Sequence, residues 1–143
     1  MPELARIETV VVLQSVDFFS SCTAEEVLRI AGIARERVVS PGEELFRDRD
    51  PAERLYCIVR GEIELRGGPR DGEVLGPLRT AGLLDLLSGR LHSATARART
   101  EALVLEIQAD DFFDLLSNNI ELVRSLFRHL VQRLGDVAAE RSR

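Results

Sequence analysis

The sequence has no lysine; all nineteen of its basic residues are arginine. Schiff-base and lysine general-base chemistry are therefore excluded by inventory. Cysteine is scarce, and Cys22 and Cys57 stand far apart at no metal-ligand spacing. They read as two reduced, buried thiols, and no metal site is assigned. The apolar runs, such as Val10–Leu13 and Leu55–Val59, fall far short of the roughly 20 residues that a membrane helix needs. Met1–Arg6 is not a basic signal-peptide region either. The expectation is a cytoplasmic chain that does not insert into membranes. The formal charge is -5 with no clustered basic stripe, which argues against direct nucleic-acid binding, because arginine and lysine supply most affinity for phosphate backbones. G-x-S-x-G, a Walker loop and H-E-x-x-H are all missing, and the carboxylates are scattered, so no catalytic residue is assigned.

What is present fits one domain, residues 1–143, with a 45% hydrophobic and 30% charged composition. Residues 1–36 read as N-terminal helices. A short helix over Leu4–Leu13 leads into an arm, Ser15–Phe19, that carries two aromatics. Thr23-Ala24-Glu25-Glu26 has the form of a capping box, and Val27, Ile30, Ala31 and Ala34 then give one apolar face. Over 37–108 the period changes to two, with turn residues at Pro41-Gly42, Asp50-Pro51, Gly61 and Gly67-Gly68-Pro69. Leu55–Val59 is apolar on both faces and suits a strand inside a core, whereas Glu62–Arg66 alternates and suits a half-buried one. Ala94, Ala96 and Ala98 take the interior face, with Arg97 and Arg99 opposite. Short, regularly spaced strands predict a mainly β architecture with flanking helices, an antiparallel sandwich or jelly roll. Helical spacing returns over 109–141, first behind Asp110 and Asp111 and then in a long helix starting near Asn119. That helix carries Ile120, Val123, Phe127, Leu130, Leu134 and Val137 as a heptad-like seam. Two roles are open for the seam: covering its own β-roll, or packing on a partner. His129 on the same helix is expected to face solvent.

The order helix, β-rich middle, short helix, two strands, long helix resembles the cyclic-nucleotide-binding domain of catabolite-activator-like regulators, cyclic-nucleotide-gated channels and protein-kinase regulatory subunits. Ser40-Pro41-Gly42-Glu43-Glu44-Leu45-Phe46 is similar to the family's Pro-Gly-Glu turn, and Asp50-Pro51 to the acidic turn that follows it. Leu55–Leu65, with Gly61 before an acidic residue, is similar to its most recognisable hairpin. The resemblance implies a double-stranded β-helix (jelly roll) and a phosphate-binding cassette of the form Phe-Gly-Glu-Leu-Ala-Leu-Leu followed by Arg-Ser/Thr-Ala. In such a cassette, unsatisfied helix-start amides meet an anion. The matching stretch here is Ala81–Thr95, with the short helix expected over 81–88.

Gly82, Leu83, Leu84, Asp85, His92, Ser93 and Ala94 are the cassette-equivalent, candidate ligand-binding residues. Gly82, Ser93 and Ala94 match the pattern. The glutamate that accepts from a ribose hydroxyl falls on Leu83, and the phosphate-pairing arginine falls on His92. Losing two charge-assisted contacts of about 1.5–3 kcal/mol each weakens a dissociation constant roughly a hundred- to ten-thousandfold. Asp85 adds a carboxylate that repels phosphate unless it points to solvent. Leu83 reads as filling the pocket. His92 has two readings, a protonated anion donor or a partly exposed histidine. Ser93 and His92, as neighbours on a strand, are expected to point apart and not to share a proton. Arg79 and Arg90 are the arginines left to compensate. No cofactor is assigned; cAMP or cGMP is the ligand class that the resemblance implies.

The expected function is therefore a non-catalytic regulatory module with a degenerate cassette, sensing a nucleotide or other small anion through a C-terminal lid helix. The alternative is a ligand-independent dimerisation or interaction module using Val123, Phe127, Leu130 and Leu134. Only Arg141-Ser142-Arg143 follow the long helix, too few for a helix-turn-helix reader. The expected partners are then a second copy, or a larger regulator, channel or transporter to which the module is attached.

Overall fold

The computed structural model describes residues 4–141. Its helical entry follows from local chemistry. Helix α1 (Arg6–Ser15) leads into a short 3₁₀ turn, Asp17–Phe19, whose two phenylalanines are buried. The capping box forms as read: the Glu26 amide donates to Thr23 Oγ1 at 3.2 Å, and the Thr23 amide donates to Glu26 Oε1 at 2.8 Å. Two of the amides orphaned at the start of α2 (Ala24–Ile33) are satisfied reciprocally in this way. The helix ends three residues earlier than expected. Ala34, assigned to its apolar face, begins strand β1 (Ala34–Val39) instead, because β1 pairs along its whole length with a later strand. The boundary between helices and roll thus lies at 33/34, not 36/37.

The remaining strands are β2 (Glu44–Phe46), β3 (Arg54–Arg60), β4 (Ile63–Arg66), β5 (Val74–Leu75), β6 (Thr80–Ala81), β7 (Thr95–Ala98) and β8 (Ala102–Gln108). They form two four-stranded antiparallel sheets, ordered β1-β8-β3-β6 and β2-β7-β4-β5. The fold is the mainly antiparallel jelly roll with flanking helices that the turn spacing predicts.

Alternation explains why β3 and β8 are apolar on both faces. Leu55 and Cys57 of β3, with Leu105 and Ile107 of β8, face a core shared with the helices. Tyr56, Ile58 and Val104 face the opposite way, into a second core inside the roll, where Ala94, Ala96 and Ala98 also lie. Burial of this central sheet between two cores removes far more apolar surface from water than a one-sided sheet could. Gly61 makes the β3–β4 bend at φ 89°, where a Cβ would overlap the Glu101 carbonyl oxygen and Ala102. No other residue fits there.

Helix α3 (Leu83–Ser88) follows β6, two residues later than the expected start at 81, since Thr80 and Ala81 are held in the sheet by β3. Helices α4 (Ala109–Ser117) and α5 (Ile120–Arg141) close the chain. The face of α5 that covers the body consists of Leu122, Ser125, Leu126 and His129. The seam does not cover it: Ile120, Phe127, Leu130, Leu134 and Val137 are all exposed, Phe127 at 61% and Leu134 at 70%. Of the two roles open for the seam, covering its own roll is overturned for Ile120, Phe127, Leu134 and Val137, while Val123 is half-buried and Leu130 borders a cavity beside the roll.

His129 is also corrected. It is buried, not solvent-facing, because its Nε2 lies 3.3 Å from Asp17 Oδ2, its Nδ1 lies 3.2 Å from Ser20 Oγ, and its ring meets Phe18 edge-on. Arg133 adds a contact to Asp17 at 3.1 Å. One turn earlier, the Ser125 hydroxyl donates to the buried Glu26 carboxylate at 2.8 Å. The first half of α5 is thereby fastened to α2 and the 3₁₀ turn, while every residue from 131 to 141 is exposed.

Candidate functional site

A cavity of about 510 Å³ opens where the roll, α3, the 3₁₀ turn and α5 meet. Its walls include Phe46, Leu65, Leu75 and Ala81 from the roll, Gly82–Asp85, Arg90, Ser93 and Ala94 from the cassette stretch, and His129, Leu130 and Arg133 from α5. Six of the seven cassette residues named from sequence therefore surround one space: Gly82, Leu83, Leu84, Asp85, Ser93 and Ala94. Of the seam residues only Leu130 reaches it; Val123, Phe127 and Leu134 do not.

The seventh, His92, lies behind the wall. Its ring is buried and stacks on Phe46, with centroids 3.6 Å apart and planes 10° from parallel. The reading of His92 as a partly exposed histidine is incorrect. Its place is fixed by the backbone, since the His92 amide donates to the Asp50 carbonyl and the Arg49 amide donates to the His92 carbonyl, both at 2.8 Å. These bonds tie the end of the cassette to the loop at Asp50-Pro51. Burial pushes the imidazole below its ordinary pKa, against the smaller opposing pull of the Asp85 and Asp50 carboxylates. A neutral ring with no face on the cavity has nothing to offer an anion there.

Gly82 starts α3 at φ 84°. A Cβ at this position would stand 3.0 Å from the Arg54 carbonyl oxygen and 3.2 Å from His92 Cε1, so the tight entry to the cassette and the burial of His92 require each other. Leu83 is buried and packs into the helical core while touching the cavity, which agrees with a filling role. Leu84 beside it is 64% exposed at the cavity mouth.

Asp85 points inward. Its Oδ2 accepts from the Ser93 amide at 3.2 Å, and the Ser93 hydroxyl donates to Oδ2 and Oδ1 at 3.3 and 3.5 Å. Ser93 and His92 precede β7 and are not strand residues, yet they still share no hydrogen bond; the hydroxyl goes to Asp85. Of the two compensating arginines, Arg79 is engaged with Glu73 at 3.0 Å, and Glu73, also held by Arg70, is lowered to about 2 by those guanidinium hydrogen bonds. Arg90 donates from Nε to Ser88 Oγ at 3.1 Å and has no carboxylate partner among the described residues. It is the cation left to meet a ligand.

Several participants were not apparent in sequence. In sequence Phe46 is only the end of a turn, and its aromatic character is the one hint that a ring such as that of His92 stacks on it. The Asp17–Arg133 and Glu26–Ser125 contacts join residues about a hundred positions apart, and no local pattern marks them. Among the described residues no helix is long and apolar enough to cross a membrane, and no cluster of metal-ligating side chains occurs.

The chain is thus a jelly roll with a short helix inserted before its penultimate strand and a cavity bordered by that insertion and by the long C-terminal helix. Comparison with known proteins gives the family: the cyclic nucleotide-binding domain pattern matches residues 36–119, more than half the sequence, and the chain belongs to that family. It is 28% identical over 125 residues to a cyclic nucleotide-gated potassium channel of Mesorhizobium japonicum, an alignment that takes in 87% of this chain and 35% of the channel. The N-terminal domain of a transcriptional regulator from Streptomyces coelicolor superposes with a TM-score of 0.76 at 27% identity, covering 88% of this chain and 94% of that one. A candidate cyclic-nucleotide-binding protein from Ruegeria pomeroyi shares the fold at a TM-score of 0.81 and 19% identity, over 97% of this chain and 64% of that one. The chain spans about a third of the length of the potassium channels it matches.

Proposed function

We propose that this domain is a non-catalytic regulatory module of the cytoplasm, in which the cavity beside α3 receives a nucleotide or another small anion and α5 carries the response. The observation that supports this most is the shared lining: cassette residues Gly82–Asp85, Arg90 and Ser93 and lid residues His129, Leu130 and Arg133 face the same 510 Å³ space. An occupant touching both sides has different contacts when α5 lies close and when it lifts, which is the differential affinity that any ligand-driven shift requires. Leucine at position 83 and the withdrawal of His92 behind the wall remove two strong polar contacts, so cyclic nucleotides bind weakly. Arg90 takes over the anion.

Calorimetric titration with cAMP and cGMP at pH 6 and pH 8, with thermal shift alongside, tests the reading. Heat and a raised melting temperature at millimolar ligand, both diminished in Arg90→Ala, are expected. Silence in both assays for both nucleotides discards nucleotide sensing.

One observation favours a second reading. The α5 seam is exposed from Phe127 onward, Phe127 at 61%, Leu134 at 70% and Val137 at 45%, with Val123 half-buried, and large apolar side chains in a helical row commonly meet a partner. A second copy packing along this row would make α5 a dimer helix. Sedimentation of the wild type as a dimer and of Phe127→Glu/Leu134→Glu as a monomer is expected on this reading; two monomers would end it.

A further inference from the structure

We propose that the Asp85 carboxylate is a tethered occupant of the anion seat at Ser93, so that an anionic ligand settles in the cavity only by displacing it. This rests on the reading of the cavity as a ligand seat, and it assigns the determinant of selectivity within it.

Two observations converge on one carboxylate. The Ser93 amide and hydroxyl both point at Asp85, at 3.2 and 3.3 Å from Oδ2. An amide and a hydroxyl aimed at a single point form the donor pair that a phosphate or carboxylate oxygen takes, and here the protein supplies the oxygen itself. The Asp85 side chain is 15% exposed, on the cavity wall, so the seat is filled from within and not shielded by an outside loop. Behind it stands His92, its side chain 2% exposed, whose Nδ1 lies 3.7 Å from Asp85 Oδ2 and has no hydrogen-bond partner. That separation is too long for a hydrogen bond, so among the described residues it is the Ser93 amide and hydroxyl that hold the carboxylate in place.

The consequence for binding has two parts. A group tethered eight residues away competes at high effective concentration for the Ser93 donors. Its negative charge also repels an incoming anion at hydrogen-bonding range, where screening by salt is weak. An uncharged ligand of similar shape meets neither obstacle. Asp85 therefore biases the cavity against anions, and Arg90, without a carboxylate partner among the described residues, draws them only partly back.

The test is calorimetric titration of the whole chain with cAMP and, separately, with adenosine, for the wild type, Asp85→Asn and Asp85→Ala, each first checked for cooperative unfolding. Asp85→Ala is expected to bind cAMP at least about tenfold more tightly than the wild type. Asp85→Asn, which keeps an acceptor for Ser93 without the charge, should fall between, and adenosine affinity should stay within about twofold throughout. Should Asp85→Ala fail to fold, a gain of about threefold in Asp85→Asn supports the proposal and no gain overturns it. Equal gains for cAMP and adenosine overturn it too, since they would report enlarged space and not an emptied anion seat. If no variant binds cAMP, the proposal falls. Adenosine binding would then leave the cavity standing as a ligand seat, and silence with both ligands would remove that reading as well.

Discussion

Replacing Ser125 by alanine removes one hydroxyl at the point where α5 is fastened to α2. Glu26 is 5% exposed, and its carboxylate accepts from the Thr23 amide at 2.8 Å and from Ser125 Oγ at 2.8 and 3.2 Å. A hydrogen bond to a charged acceptor contributes about 1.5–3 kcal/mol net, and the loss is larger when the acceptor stays buried. Because the Thr23 amide remains, the lower part of that range applies, about 1.5–2 kcal/mol. At about 3 °C per kcal/mol for a chain of this size, the melting temperature should fall by about 5 °C. Urea unfolding gives the free energy directly. A double-mutant cycle with Glu26→Gln, which keeps an N3 acceptor for the cap, isolates the pair and should return a coupling above about 0.5 kcal/mol. Hydrogen exchange should quicken first in the turns of α5 around residue 125. Strict additivity of the two substitutions, or a loss in Ser125→Ala below about 0.5 kcal/mol, would refute the idea that this contact anchors α5.

The depressed pKa of His92 gives a pH dependence of definite sign. The unfolded chain binds a proton near pH 6.5 while the folded one resists it, so stability is full above that value and declines as pH drops from about 6.5 through the lower folded pKa; His92→Phe should flatten this limb of a stability–pH curve. Gly82→Ala places a Cβ at φ 84° against the Arg54 carbonyl oxygen and His92 Cε1, and should cost about 1–3 kcal/mol by denaturant melting. Cys57 is buried as read from sequence, but Cys22 is only half-buried; burial raises Cys57 to about 12, and partial burial together with the Glu26 carboxylate raises Cys22 to about 11. Iodoacetamide at pH 8 should therefore leave the folded protein unmodified by mass and label both thiols once it is denatured.

Much of the architecture was legible in the sequence because it is local. The capping box at Thr23, the two-sided strand Leu55–Val59 and the alternating alanines of β7 each follow from neighbours within a few residues, and each is found where the pattern predicts. Rotation of the last helix was not legible. Its buried stripe, Leu122, Ser125, Leu126 and His129, is interrupted by two polar residues, so an apolar count prefers the exposed seam. The polar pair is buried only because Glu26, Ser20 and Asp17 wait for it from the far end of the chain. The cassette shows the same division. Its six cavity residues were recognisable from their order, but the fate of His92 depended on Phe46, and the inward turn of Asp85 depended on donors at Ser93. Contacts of that kind are fixed by the assembled roll and leave no periodicity behind.

The cavity is what joins the cassette to α5. Amide-resolved nuclear magnetic resonance titration of the chain with cAMP tests this most directly. Shifts at Gly82, Arg90 and Ser93 that saturate together with shifts over His129–Arg133 are the predicted result. A spectrum unchanged to the highest soluble ligand concentration, or one perturbed only away from these residues, would contradict it.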